Sequence, residues 1–207
     1  MQTGTKVFGI GFQKTGTTTL GVIFDALGYP TAGYHQFRDL AQAEGLTMQA
    51  LRDRALTLAQ DVRAAKDTPW PLLYRELDAA FPGSKFIHVT RDPDAWIRSA
   101  VNDFGTGYNA LHQVIYGVPC PEGHEDVWLN RYRRHNDEVR AYFADRPDDC
   151  LFLNLEEGIS YEAVCDFLGE PRVGQGVPRA NTRAKKRVKM LWWRVTAALR
   201  KRLGRGA

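Results

Sequence analysis

A chain that runs Lys6-Val7-Phe8-Gly9-Ile10-Gly11-Phe12 and then Gln13-Lys14-Thr15-Gly16-Thr17-Thr18-Thr19 has few ways to fold. The first stretch is short and apolar, the mark of a buried strand, and apolar residues recur at helical spacing from Thr17 to Leu27. Between them, counted from Gly11, stands G-x-x-x-x-G-T-T, one residue away from the phosphate-cradling pattern G-x-x-x-x-G-K-[ST]. A strand that enters a glycine-bracketed loop and leaves it as a helix offers an anion backbone N–H groups and the positive end of a helix dipole. Thr17 occupies the position of the pattern's lysine. The lysine here is Lys14, three places earlier, so its charge approaches from the side of the loop.

The remaining pattern alternates strand and helix. The first helix ends near Gly28, and a short strand is expected in Tyr29–Tyr34. Residues 36–65 read as helical in two pieces broken near Gly45, with Leu51, Ala55, Leu58 and Val62 on one apolar face. The prolines of Asp67-Thr68-Pro69-Trp70-Pro71 mark a loop, and the helix that follows stops at Phe81-Pro82-Gly83. Lys85–Thr90 reads as a buried strand and Pro93–Asn102 as a helix. Residues 104–121 read as a loop or lid, Glu125–Arg146 as a long charged helix, Cys150–Leu155 as another buried strand, and Tyr161–Leu168 as a helix. Strands separated in this way predict an α/β fold, a mostly parallel sheet with helices on both faces, whose ligand lies at the carboxyl ends of the strands. With 207 residues, one domain is the default expectation.

The expected strand Lys85–Thr90 carries a second motif at its tip. Arg91 follows the strand, Asp92-Pro93 reads as a helix start with Asp92 as its cap, and Ser99 lies about two turns into that helix. An arginine there can grip a phosphate in a fork, and a serine hydroxyl can add a hydrogen bond. Taken alone, Arg91 reads as a surface ion-pair member and Ser99 as helix filler; the spacing between them is the signal.

With both motifs in view, the chain resembles sulfotransferases that use 3′-phosphoadenosine-5′-phosphosulfate (PAPS). In that family a K-[ST]-G-T-[ST] loop holds the 5′-phosphosulfate, matched here by Lys14, Thr15, Gly16, Thr17 and Thr18. A strand-end arginine with a serine eight residues later holds the 3′-phosphate, matched by Arg91 and Ser99. Leu27-Gly28-Tyr29, Tyr34-His35, Asp67-Thr68-Pro69 and Phe81-Pro82-Gly83-Ser84-Lys85-Phe86-Ile87 are similar to a compact branch of the superfamily, as is Val177-Pro178-Arg179-Ala180-Asn181 near the end. The resemblance implies a P-loop-like sulfotransferase fold and a PAPS-dependent transferase that moves a sulfuryl group to a hydroxyl, or else an amine, without a metal. It implies Lys14 as the cation that stabilises the leaving oxygen. It gives Asp67 as the first candidate for the base, and His35 as the second, an imidazole being suited to proton transfer near neutrality. Residue by residue, each also has a plainer reading, Asp67 as a helix cap and His35 as a hydrogen-bonded structural histidine. Thr19 closes the donor-binding loop and departs from the pattern of many cytosolic members, which place there a tryptophan that stacks on adenine. Two other readings compete: an atypical P-loop kinase of small molecules or nucleotides, and a non-catalytic module that binds PAPS or another polyanion.

The net charge of +4 hides an asymmetry. From Pro171 onward there are twelve Lys or Arg and no acidic residue, which leaves the preceding 170 residues at −8. Within residues 183–205, Val188, Leu191, Trp192, Val195, Leu199 and Leu203 form a helical apolar stripe ringed by cations. The expected organisation is a sulfotransferase domain over 1–182 and a basic amphipathic helix over 183–207. For that helix an anionic membrane surface is the leading partner, packing on the domain the rival, and polyanions the third reading. No nucleic-acid reading module accompanies it, so no specific nucleic acid is expected. The acceptor is expected to be a small molecule, lipid or carbohydrate. Cys120, Cys150 and Cys165 form no close pair, the histidines show no metal spacing, and no run approaches the ~20 apolar residues of a membrane span. A cytoplasmic setting, peripheral at the membrane if the tail binds lipid, is the expectation.

Overall fold

The computed structural model describes residues 4–172. Five strands, β1 (Val7–Gly9), β2 (Thr31–Ala32), β3 (Ala64–Lys66), β4 (Lys85–Thr90) and β5 (Cys150–Asn154), form one sheet in the order β2-β3-β1-β4-β5, and every neighbouring pair is parallel. Val7 pairs with Ala64 on one side and Lys85 on the other, so the tips of β3 and β4 flank the loop that leaves β1. From β1 the chain runs to the edge at β2, returns through β3 and crosses over β1 to β4. That reversal of direction creates the crevice in which an open parallel sheet holds its ligand.

Side chains alternate across the sheet. Val7 and Ile87 face one core with Leu20, Ile23 and Phe24 of α1 (Thr17–Ala26) and Val164 and Cys165 of α7 (Tyr161–Leu168). Phe8 and Phe86 face the other core. It contains α2 (Met48–Asp61), α3 (Tyr74–Ala80), α4 (Pro93–Phe104), α5 (Ala110–Tyr116) and α6 (Glu125–Tyr142), along with two 3₁₀ segments, Tyr34–Gln42 and Trp70–Leu73. Trp70, Trp96 and Trp128 are completely buried in it. The expected α/β architecture with helices on both faces is therefore present.

Three local expectations change. The helical reading of 36–65 ran through what is β3. Ala64 and Ala65 are fully buried on opposite faces, and Lys6 stops α2 just before them, its ammonium donating to the carbonyls of Ala59 (2.5 Å), Gln60 (3.3 Å) and Val62 (2.8 Å). The expected lid, residues 104–121, contains α5, begun by Asn109, whose side chain accepts the Leu111 amide. Strand β5 is an edge strand and mostly half-buried, where a buried strand was expected.

Candidate active site

The loop after β1 is shaped by close packing. A Cβ on Gly11 would lie 2.4 Å from the Val89 carbonyl oxygen, so only glycine lets the loop lie against β4. Lys14 (φ 71°) and Gly16 (φ 94°) take left-handed backbone, and the Thr15 hydroxyl, fully buried, donates to Phe12 O at 2.6 Å. Thr15 thus fixes the curl of the loop from inside. Helix α1 begins after Gly16 with no side-chain cap, and the amides of Thr17, Thr18 and Thr19 precede the first turn's carbonyls, so they point out of the helix end. Thr18 is exposed; Thr17 and Thr19 are half-buried.

Lys14 extends sideways from this loop, as its position in the sequence implies. Its ammonium lies 2.6 Å from Asp103 Oδ2 in the last turn of α4 and 5.9 Å from the centre of the Phe104 ring, with the side chain 12% exposed. Trp96 on the same helix donates its indole N–H to Gln13 O at 2.8 Å. Ser99, three residues after Trp96 and four before Asp103, shares their helix face, which therefore looks onto the loop. Asp92 accepts the Ala95 amide at 2.8 Å, the cap expected of it.

Arg91, at the tip of β4, is anchored through its backbone. Its amide donates to the Tyr132 hydroxyl at 2.8 Å, and that hydroxyl donates back to Arg91 O at 2.9 Å. The guanidinium turns toward β1, with Nη1 donating to Lys14 O at 3.3 Å, and its Nε lies 3.8 Å from Glu156 Oε1. The guanidinium thus faces the first loop.

On the other side of β1, Asp67 follows β3 with left-handed backbone (φ 72°). Its Oδ1 accepts the Thr68 amide at 2.9 Å, and its Oδ2 accepts the Thr17 hydroxyl at 3.3 Å, which places the carboxylate at the first residue of α1. The neighbouring Thr68 hydroxyl donates to Gln13 Oε1 (3.2 Å), and Gln13 Nε2 donates to the Tyr116 hydroxyl (2.5 Å). Gln13 therefore ties together the loop, the tip of β3 and α5. His35 stands apart: it is exposed in the 3₁₀ segment after β2, two strands from β1, and no hydrogen bond or ion pair among the described residues joins it to the loop.

The floor of the loop is held by two histidines. His135 Nε2–H donates to Ile10 O at 2.8 Å, its ring stacks on Phe12 at 4.3 Å, and His88 Nδ1 lies 3.4 Å from the same carbonyl. Burial holds both neutral: His88 falls to about 4, and His135 is pushed well below the ordinary imidazole range by the same cause, reinforced by His88.

Sequence reasoning missed several neighbours of this site. Gln13 carried no motif signal. Asp103 was findable as the residue one turn beyond Ser99. Glu156 belongs to a turn after β5 that only the fold brings to Arg91. Lys66 ends β3, and a Cβ on Gly21 would lie 2.8 Å from its Cε, so its stem runs along α1 past glycines that make room for it. Among the described residues, no three His, Cys, Asp or Glu side chains gather as metal ligands, and no helix is long and apolar enough to cross a membrane. The arrangement is a helix-end amide cradle with a lysine at its side, a guanidinium on one neighbouring strand tip and a carboxylate on the other. Its amides, ammonium and guanidinium are groups that bind anions, set at the head of α1 and the tip of β4.

The chain is 28% identical over 203 residues to the Ava biosynthesis cluster protein M of Aspergillus versicolor, covering 80% of this chain and 76% of that one. A sulfotransferase of known structure from Alicyclobacillus acidocaldarius superposes with a TM-score of 0.53 at 15% identity over 87% of each chain, a likeness of fold. The family model described as Sulfotransferase domain matches residues 6–124 and 101–186, which take in both strand-tip motifs. The chain belongs to the sulfotransferase domain family, with its P-loop-like α/β fold and a function of the sulfotransferase type.

Proposed function

We propose that this chain transfers a sulfuryl group from PAPS to a hydroxyl acceptor, with an amine as the alternative nucleophile. The observation that supports this reading is the hydrogen bond from Arg91 Nη1 to Lys14 O, 3.3 Å long. The cation assigned to the donor's 3′-phosphate turns toward the loop assigned to its 5′-phosphosulfate, so the two sites open toward each other. A molecule with anions at both ends matches that pair of sites.

In this reading the outward amides of Thr17, Thr18 and Thr19, with Gly16 at the cap, hold the 5′-phosphosulfate, and Thr15 keeps the loop curled. Arg91 and Ser99 hold the 3′-phosphate. The acceptor oxygen forms a bond to sulfur while the bond from sulfur to the bridging oxygen breaks. The electron pair stays on the 5′-phosphate of the product, 3′-phosphoadenosine-5′-phosphate (PAP). Lys14 exchanges Asp103 for that oxygen as its charge develops, a stabilisation that counts because it grows in the transition state. The acceptor's proton passes to Asp67, whose carboxylate already lies at the head of α1; His35 is the second candidate. The acceptor is a small molecule, lipid or carbohydrate. Residues 183–205, the proposed contact with an anionic membrane surface, lie outside the described residues, as does the expected domain boundary at 182/183.

Thermal-shift titration with PAP, and with ATP plus Mg²⁺, tests the donor. A rise with metal-free PAP that ATP does not match is expected, and the reverse would overturn the reading in favour of a kinase. Turnover of PAPS with a panel of hydroxyl acceptors separates an enzyme from a silent binder. Asp67→Asn is expected to lower kcat by about 10²- to 10⁴-fold with PAP affinity retained. Loss of turnover in His35→Ala with Asp67→Asn active would transfer the base to His35.

A further inference from the structure

Glu156 has no part in the roles assigned above, yet it occupies one of the two anion sites. It lies in the turn after β5, where the Asn154 side chain accepts its amide at 3.0 Å. One carboxylate oxygen accepts the Asp92 amide at 3.1 Å, and the other lies 3.8 Å from Nε of Arg91, a nitrogen buried without a hydrogen-bond partner. A guanidinium and the amide beside it, at a strand tip that opens a helix, are the donors a phosphate would take there. A side chain of this chain's own already rests on them. With 43% of that side chain exposed, the carboxylate can exchange the site for water at little cost.

We propose that Glu156 is a tethered competing anion: it contests the site assigned to the donor's 3′-phosphate and so weakens the hold on the bisphosphate product and speeds its release. The inference rests on the PAPS reading. An incoming 3′-phosphate gains only the difference between its own contacts with Arg91 and Asp92 and those Glu156 gives up. A nucleotide without a 3′-phosphate leaves Glu156 in place and gains nothing from its removal. The effect is therefore confined to 3′-phosphorylated ligands, which makes Glu156 a specificity-determining residue.

Isothermal titration of the full chain with PAP and with adenosine 5′-monophosphate tests this in the natural sequence, in Glu156→Gln and in Glu157→Gln. Glu157 is the exposed neighbour and supplies the same change of net charge. Glu156→Gln is expected to tighten PAP about two- to fivefold, the range an exposed ion pair supports, to slow PAP release in stopped flow, and to leave the monophosphate unchanged. Glu157→Gln is expected to change neither. Unchanged or weaker PAP binding in Glu156→Gln overturns the inference. So does an equal gain for both nucleotides or in both variants, which would report net charge alone. Failure of the natural chain to bind PAP would instead refute the PAPS reading, and the inference with it, whereas PAP binding that Glu156→Gln does not tighten sinks the inference alone.

Discussion

His88 and His135 meet at the Ile10 carbonyl immediately below the anion loop, and His112 is buried among Phe104, Tyr116 and Trp128. Burial is the leading cause that holds His88 and His112 at about 4. The unfolded chain protonates the same rings near 6.5. Between pH 6.5 and about 4 the unfolded state therefore binds more protons than the folded one. Stability that is complete above 6.5 is lost as the pH falls and stops falling below about 4. At about 1.36 kcal/mol per pH unit, a span of roughly 2.5 units costs about 3.4 kcal/mol per histidine, or about 7 kcal/mol for the two. His135 adds to the loss in the same direction. A domain stands on about 5–15 kcal/mol, so a loss of this size is a large fraction of what holds a domain folded. Guanidinium unfolding followed by circular dichroism at pH 7, 6 and 5 measures it, with an expected loss from pH 7 to 5 of about 1.8 kcal/mol per histidine. Whatever His88→Gln does at pH 7, it is expected to shrink that loss by about 1.8 kcal/mol. A total loss below about 1 kcal/mol between pH 7 and 5, or His88 and His112 ring resonances titrating near 6.5, would refute the reasoning.

The two cations are expected to fail differently. Lys14→Ala lowers kcat by about 10²- to 10³-fold with a smaller change in PAP affinity, whereas Arg91→Ala weakens PAP by about 10- to 100-fold; steady-state kinetics beside calorimetry decides, and the opposite pattern would exchange their roles. Gly11→Ala places a methyl 2.4 Å from Val89 O and 2.8 Å from Thr15 Oγ1, so the loop has to lift from β4. Thermal unfolding should show a loss of about 1–3 kcal/mol together with weaker PAP binding, and natural values for both would show that the close approach is not required. A chain ended at Asn181 is expected to lose co-sedimentation with anionic vesicles that the full chain shows at low salt; equal sedimentation would remove the tail from membrane binding.

Most of the fold was legible because its strongest elements are local. Lys85–Thr90 and Tyr161–Leu168 have the predicted bounds, since an apolar run and a capped amphipathic turn each state their own period. Strand β3 was not legible. Ala64-Ala65-Lys66 contains no β-branched or aromatic residue and continues the helical spacing of α2. What makes it a strand is tertiary: a slot between β2 and β1 that admits small side chains, and an ammonium from Lys6, more than fifty residues earlier, that closes the preceding helix.

The candidate site divides along the same line. Lys14, Thr17 and Arg91 could be nominated from the sequence because anion binding by a helix end and a strand-tip arginine depends on short spacings that a sequence displays directly. The groups that control those cations are remote in sequence: Asp103 lies 89 residues from Lys14, and Glu156 binds the amide of Asp92 across 64 residues. Both are carboxylates placed against the cations that an anionic donor would use. A site built only for tight binding would leave those cations open. One in which each cation must first give up a carboxylate holds its ligand more weakly, and turnover needs that weakness once the spent nucleotide has to leave. On the PAPS reading, the short motifs would be what attracts the donor, and the remote carboxylates what lets the product go.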